Sequence, residues 1–331
     1  MPLPRRRPLL LAIAALVLLG VATAGWLLTR GGQPAGKGGA QVVLRVGSQK
    51  GGAKSAMLAA GVLKDLPYTI EWSEFPAAQH LLEALSSGAI DVGTAGDAPF
   101  LFAYQAGGPL VAVQAAKTAD VSGSSAILVR KGSAIRGAAD LKGKRIVTGR
   151  GSAGHYLLLK ALQSAGLTAS DVTIIFLAPS DANAALASGS ADAWSVWPPY
   201  VGAALLHGDA RIAVDARGLA SGHLLQVANR KAVETKRAAL ADFLNRYADA
   251  LAWTNAHPDK AASVLSGETG LPLDVARYSV ERQKWAPVPI DAGLLEYEKT
   301  MLALFSEGGG FRITRPVDEA FDATLYTPKV P

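Results

Sequence analysis

ALSSGAIDV (84–92) returns further along the chain as ALASGSADA (185–193), with Gly88 answered by Gly189 and Asp91 by Asp192. Leu81, Leu82 and Leu85 fall on one helical face around the start of the first copy. Gly88 then stands where a helix ends on a left-handed residue. Both copies therefore read as the end of a helix, a glycine and the start of a strand. A chain that writes such a unit twice builds two similar α/β lobes rather than one long sheet.

Strands and helices alternate on either side of the two copies. Ahead of the first come a strand at 42–49 (VVLRVGSQ), a glycine loop, a helix near 53–63, a strand at 68–75 and a helix at 76–88, with a further strand at 89–96. The same order recurs as KRIVTG (144–149), a glycine loop, HYLLLKALQSAG (155–166), VTIIFLA (172–178), SDANAALASG (180–189) and ADAWSVW (191–197). SAILVRKG (125–132) and HLLQVANR (223–230) read as strands near two crossings between the lobes. The expected division is 41–122 plus 225–331 for the first lobe and 123–224 for the second. The segment from 230 onward is expected to be mostly helical, as in VETKRAALADFLNRYADALAWTNAH (233–257). Parallel α/β sheets hold ligands beyond the carboxyl ends of their strands, so two facing lobes define a cleft that closes about a hinge.

The first forty residues point to export. Arg5, Arg6 and Arg7 precede a charge-free stretch from Pro8 to Thr29, and Ala22-Thr23-Ala24 supplies an A-x-A cleavage pattern. A signal peptide over 1–24 is expected, with an uncleaved membrane anchor over 1–29 as the alternative because Trp26, Leu27 and Leu28 prolong the apolar run. Residues 25–40 are a flexible spacer. Within it GGQPAGKG (31–38) fails as a phosphate loop, since Gly38 stands where Ser or Thr is required.

Those three arginines supply half of the net charge of +6, and no aromatic–basic interleaving follows them, so nucleic-acid binding is not expected. The chain has no cysteine, which removes disulfides, thiolate zinc sites and a thiol nucleophile. The five histidines show no metal spacing, and neither G-x-S-x-G nor a Ser/His/Asp set is present. No catalytic residue, metal or cofactor is expected.

The chemistry resides in the loops. GRGSAGHY (149–156) places Gly149, Gly151 and Gly154 in a G-x-G-x-x-G spacing between a strand and a helix. Backbone N–H groups and the peptide dipoles favour an anion at that helix start. A dinucleotide would want an acidic residue after the next strand, and VTIIFLAPSD has none before Asp181. Gly151, Ser152, Ala153, Gly154 and His155 are the candidates here, Ser152 as N-cap or hydroxyl donor and His155 as a neutral ring. The corresponding first-lobe loop, GSQKGG (47–52), contributes Gln49 and Lys50. GDAPF (96–100) adds Gly96, Asp97 and Ala98, with Asp97 expected at the N-cap and neutralised by Lys50 or by backbone donors. In WSVWPPY (194–200), Trp194 is a candidate that core packing also explains, and Trp197 is placed to wall an apolar ligand tail.

VLRVGSQKG (43–51), EFPAAQHLLEALSSGAIDVGTAGDAPFLFAYQAGG (74–108), SAILVRKGSAIRGAADLKGKRIVTGRGSAGHYLLLKALQSAGL (125–167), LAPSDANAALASGSADAWSVWPPY (177–200) and ERQKWAPVPI (281–290) together resemble the aliphatic-sulfonate-binding proteins of bacterial ABC importers. The resemblance runs in order through 42–331. It implies a type II periplasmic-binding-protein fold, two α/β lobes joined by two crossover strands with the ligand in the cleft. It also implies a periplasmic, monomeric binding protein, without enzymatic activity, that delivers an organosulfonate to a membrane permease driven by a cytoplasmic ATPase. Taurine, nitrate or another small oxyanion is the alternative ligand, and a membrane-anchored sensor the alternative role. G-x-Q-K-G, G-D-A-P and G-S-x-x-H-Y resemble the sulfonate branch, and Trp194 and Trp197 match a W-x-x-W element. Pro198 departs from the family, which usually carries an acidic residue there.

Overall fold

The computed structural model describes residues 41–50, 52–118, 121–220, 222–308 and 312–328. The signal, anchor and spacer expectations for residues 1–40 lie outside these residues. Among the described residues, no helix is long and apolar enough to cross a membrane.

The repeat becomes two copies of one βαβαβ unit. In the first, β1 (Val43–Gln49), α1 (Ala53–Ala60), β2 (Thr69–Phe75), α2 (Ala78–Ser86) and β3 (Val92–Gly96) follow in order. In the second, β6 (Arg145–Thr148), α4 (Ala153–Ser164), β7 (Thr173–Phe176), α5 (Pro179–Ser188) and β8 (Ala193–Val196) do the same. Between them lie α3 (Asp97–Gln105), β4 (Leu110–Thr118) and β5 (Ala126–Arg130). After them come α6 (Tyr200–Leu206), β9 (Ala210–Asp215) and β10 (His223–Asn229). The remainder is α7 (Arg230–Thr235), α8 (Arg237–Ala256), α9 (Pro258–Thr269), α10 (Leu273–Glu281), β11 (Trp285–Val288) and α11 (Ala292–Glu307).

The strands form two sheets, ordered β11-β4-β10-β3-β1-β2 and β7-β6-β8-β5-β9. Within each copy the first strand is central and pairs in parallel with the other two. Each sheet then takes an antiparallel strand beside the third strand of its copy: β10 next to β3, and β5 next to β8. The chain thus passes to the second sheet between Thr118 and Ala126 and returns between Asp215 and His223. β10 joins the first sheet from His223, two residues ahead of the expected boundary at 225.

Both faces of each sheet are covered, which is why the inner strands are mostly buried on both sides rather than alternating buried and exposed. Leu81, Leu82 and Leu85 are at most 2% exposed and pack with α3 and α11 on one face of the first sheet. Burial of each such side chain is worth about 1.5–3 kcal/mol. Phe243, Leu244 and Leu251 of α8 cover the opposite face. In the second sheet, Leu157 and Leu158 of α4 cover one face, and Leu186, Trp194 and Val201 fill the other.

The paired aspartates explain the echo. Asp91 Oδ2 accepts the backbone N–H of Arg45 at 2.7 Å, and Oδ1 accepts its guanidinium at 2.6 Å. Asp192 does the same with Arg145, at 2.8 and 3.0 Å. Arg45 and Arg145 stand near the start of the central strand of their copies, so each aspartate ties the first strand to the entry of the third. Gly88 and Gly189 have φ of 76° and 82°, the left-handed turn that brings the chain from helix to aspartate.

Candidate functional site

The carboxyl ends of β1 and β3 face those of β6 and β8 across a cleft with an interior volume of about 250 Å³. The lobes touch across it. Gln79 Nε2 donates to the Arg150 carbonyl at 3.0 Å, and the Tyr200 hydroxyl donates to the Pro76 carbonyl at 3.3 Å.

The GRGSAG loop forms one wall, and Gly151 and Gly154 have different tasks. Gly151 adopts φ of 63°, and a Cβ there would lie 2.7 Å from the Phe102 ring of the other lobe. Gly154 packs on β8, where a Cβ would lie 2.4 Å from the Ser195 carbonyl oxygen. The close approach is fastened by two buried bonds: Thr148 Oγ1 donates to the Ser195 carbonyl at 2.9 Å, and Ser195 Oγ donates to the Gly154 carbonyl at 2.6 Å. Ser152 is the N-cap of α4; its Oγ accepts the His155 N–H at 3.2 Å and donates to the Gly149 carbonyl at 2.7 Å. Its hydroxyl is therefore spent on the loop itself. The N–H groups of Ala153 and Gly154 have no hydrogen-bond partner among the described residues, and Ala153 lines the cleft. Unfilled donors at a helix start, reinforced by the helix dipole, suit an anion.

His155 does not line the cleft. Its ring is 4% exposed, 5.0 Å from Phe176 and 5.1 Å from Phe305. Nδ1 accepts the Gly151 N–H at 3.2 Å, which places the ring proton on Nε2. Burial, followed by the charge of Arg150, pulls its pKa down to about 4. His155 thus shapes the loop from behind as a neutral acceptor, in keeping with side chains of a first helical turn pointing back over the preceding loop.

The opposite wall comes from β1 and β3. Gln49 lines the cleft, with Nε2 donated to the Thr94 carbonyl at 2.9 Å. Lys50 is exposed on the cleft rim, and among the described residues no carboxylate lies within ion-pair distance of it. Gly96, not Asp97, is the N-cap of α3, and Asp97 is the first helical residue. Its carboxylate is buried and held by backbone donors, Ala98 N–H at 2.7 Å and His223 N–H at 2.6 Å, rather than by Lys50. Ala98 is fully buried behind it.

Trp194 is 2% exposed and belongs to the core beneath α5 and α6. It points to a sheet face, whereas the cleft lies at the strand ends. Trp197 has left the strand and lines the cleft, edge-on to Tyr200 with ring centroids 6.0 Å apart. Pro198 lines the same mouth. The structure therefore brings Gln49, Lys50, Gly96, Asp97, Ser152, Ala153 and Trp197 together on the cleft. Gly151, Gly154, His155, Ala98 and Trp194 support it from behind.

Two residues absent from the sequence-derived set stand behind Asp97. His223 Nδ1 lies 3.1 Å from Glu298 Oε1 and 3.8 Å from Asp97 Oδ2. These three are the one set of potential metal-binding side chains clustered among the described residues. Asp97 already accepts two backbone N–H groups and His223 is bonded to Glu298, so the cluster is organised by hydrogen bonds. Nothing local marked it, because HLLQVANR reads as an ordinary strand and Glu298 as one more charge on a long helix.

Residues 73–261 match the family model described as NMT1/THI5 like. A protein of Escherichia coli (strain K12) named as an aliphatic sulfonates-binding protein is 36% identical over 268 residues, 80% of this chain and 83% of that protein. The solved alkanesulfonate-binding protein of Xanthomonas axonopodis pv. citri, bound to MOPS, is 32% identical, with a TM-score of 0.76 over 85% of this chain and 98% of its own. The solved periplasmic aliphatic sulphonate binding protein of Escherichia coli is 35% identical, with a TM-score of 0.73 over 84% and 95%.

Proposed function

The chain belongs to the NMT1/THI5-like family, and from that premise we propose that it is the periplasmic substrate-binding component of an ABC importer for aliphatic sulfonates. The observation that carries this is the start of α4, where the unfilled Ala153 N–H sits at a cleft with Lys50 on the far rim and Trp197 beside it. A sulfonate monoanion matches this arrangement: its oxygens take the helix-start donors and its carbon chain lies against Trp197. Neutral donors and dipoles hold such an anion without desolvating a full ion pair.

Lobe II, nominally 123–224, closes on lobe I over the ligand and presents a joint surface to the membrane permease. No bond is made or broken. Residues 1–24 direct export, and Pro198 in place of an acidic residue leaves the mouth less negative toward the tail of the ligand.

Calorimetric titration of the protein with propanesulfonate, hexanesulfonate, taurine, nitrate and sulfate tests the assignment. Saturable binding of the alkanesulfonates, with weaker or absent binding of nitrate and sulfate, is the expected result. Selective binding of taurine or nitrate would reassign the ligand, and no binding of any of the five would overturn the function.

A further inference from the structure

We propose that the buried Asp97–His223–Glu298 cluster is a proton-holding base beneath the anion site, so that the cleft binds its anion together with a proton. This rests on the cleft being an anion site, as proposed above. Asp97, His223 and Glu298 are 3%, 5% and 0% exposed. Asp97 is the first residue of α3, so its N–H belongs to the helix start that faces the cleft while its carboxylate turns inward onto His223.

Among the described residues, His223 is the one basic side chain within ion-pair distance of either carboxylate. With the imidazole neutral, both carboxylates ionised would leave two negative charges buried without a counter-charge, a costly state. Glu298 adds a second observation: its Oε2 is buried with no hydrogen-bond donor, which an ionised carboxylate tolerates poorly. A proton on Glu298 removes that charge. The other titratable groups facing the cluster do not neutralise it. Tyr156 of α4 and Tyr297 of α11 are raised by burial and stay neutral, exposed Lys117 of β4 is screened by solvent, and Asp291 ahead of α11 adds negative charge. Burial also pushes Asp97 up to about 7 and Glu298 up to about 8, so proton exchange falls in the neutral range.

An anion in the cleft, which Asp97 also lines, repels an ionised carboxylate at its wall, so bound anion favours the protonated cluster. By linkage the proton favours bound anion equally. The affinity of the cleft should fall as pH rises through 7 to 8, by up to about tenfold per pH unit for each proton coupled.

The test is titration calorimetry of the full chain with hexanesulfonate from pH 6 to 9, in pairs of sulfonate-free buffers with different ionisation heats. The expected result is a buffer-dependent enthalpy showing proton uptake in the neutral range, with binding weakening as pH rises through it. Glu298→Gln and Asp97→Asn, each checked for a cooperative melt, should reduce the uptake and flatten the pH profile. Binding with no proton uptake in the wild type, or uptake that survives both substitutions, overturns the proposal and leaves the function standing. No binding of hexanesulfonate or the other four anions at pH 6 overturns the function and this proposal with it.

Discussion

Gly154→Ala tests the link between loop packing and the anion site. The added Cβ would lie 2.4 Å from the Ser195 carbonyl oxygen, 2.8 Å from its carbon and 2.9 Å from Thr148 Oγ1, where ordinary contact begins at 3.4 Å. Two of these atoms are backbone of β8, a strand fixed between β5 and β6, so relief requires α4 to move by roughly 1 Å. Overpacking of that kind costs about 1–3 kcal/mol. Displacement also strains the Thr148–Ser195 and Ser195–Gly154 bonds, each worth about 1 kcal/mol. The sum is about 3–5 kcal/mol, and for a chain of this length each kcal/mol lowers Tm by about 2 °C. Thermal unfolding followed by circular dichroism should show a Tm lower by about 6–10 °C. Anion affinity should fall more than about tenfold, equivalent to about 1.4 kcal/mol, as the start of α4 and its Ala153 donor leave position. Gly132→Ala is the control, since no atom lies within 4 Å of its added Cβ and its φ is not in the left-handed region. A Gly154→Ala melt within about 1 °C of the wild type would refute the packing explanation.

Lys50→Ala should weaken anion binding by about twofold to fivefold at low salt, the scale of one exposed charge, and less at high salt as screening grows; calorimetry at two ionic strengths measures it. Asp91→Ala should cost about 2–3 kcal/mol and Asp192→Ala under about 1 kcal/mol in urea unfolding, because only the Asp91 side chain is buried, at 3% exposure against 28%. Burial opposes the ionisation of Asp91, but its bonds from Arg45 and Lys236 outweigh that and hold its pKa below the usual range. His155 has a folded pKa of about 4 against 6.5 when unfolded, so the unfolded chain binds the extra proton between those values. Its contribution to stability is present above pH 6.5 and is lost as pH falls toward 4. Urea unfolding across that range should show a shallower acid loss for His155→Gln than for the wild type.

Much of the fold was legible because its determinants are local. Helix and strand periods, the terminating Gly88 and Gly189, and the repeated Asp91 and Asp192 depend on neighbours a few residues apart. Even so, the sequence showed that the aspartates recur without showing why. Their partners Arg45 and Arg145 lie in other strands, and only sheet pairing brings them within 3.0 Å.

The sequence by itself determined two α/β lobes, a glycine loop leading into a helix start, and the candidate loops at the strand ends. Tertiary structure decided which candidates reach the cleft. Trp194 reads in the sequence as a ligand candidate or a core residue, and packing on the sheet face beneath α5 and α6 puts it in the core. His155 looked like a cleft residue until α11 supplied Phe305 against its ring. Asp97, His223 and Glu298 are scattered along the chain, and no spacing rule connects them. Burial depth, proton affinity and long-range contact are properties of the packed molecule, because each depends on what every other segment excludes from water.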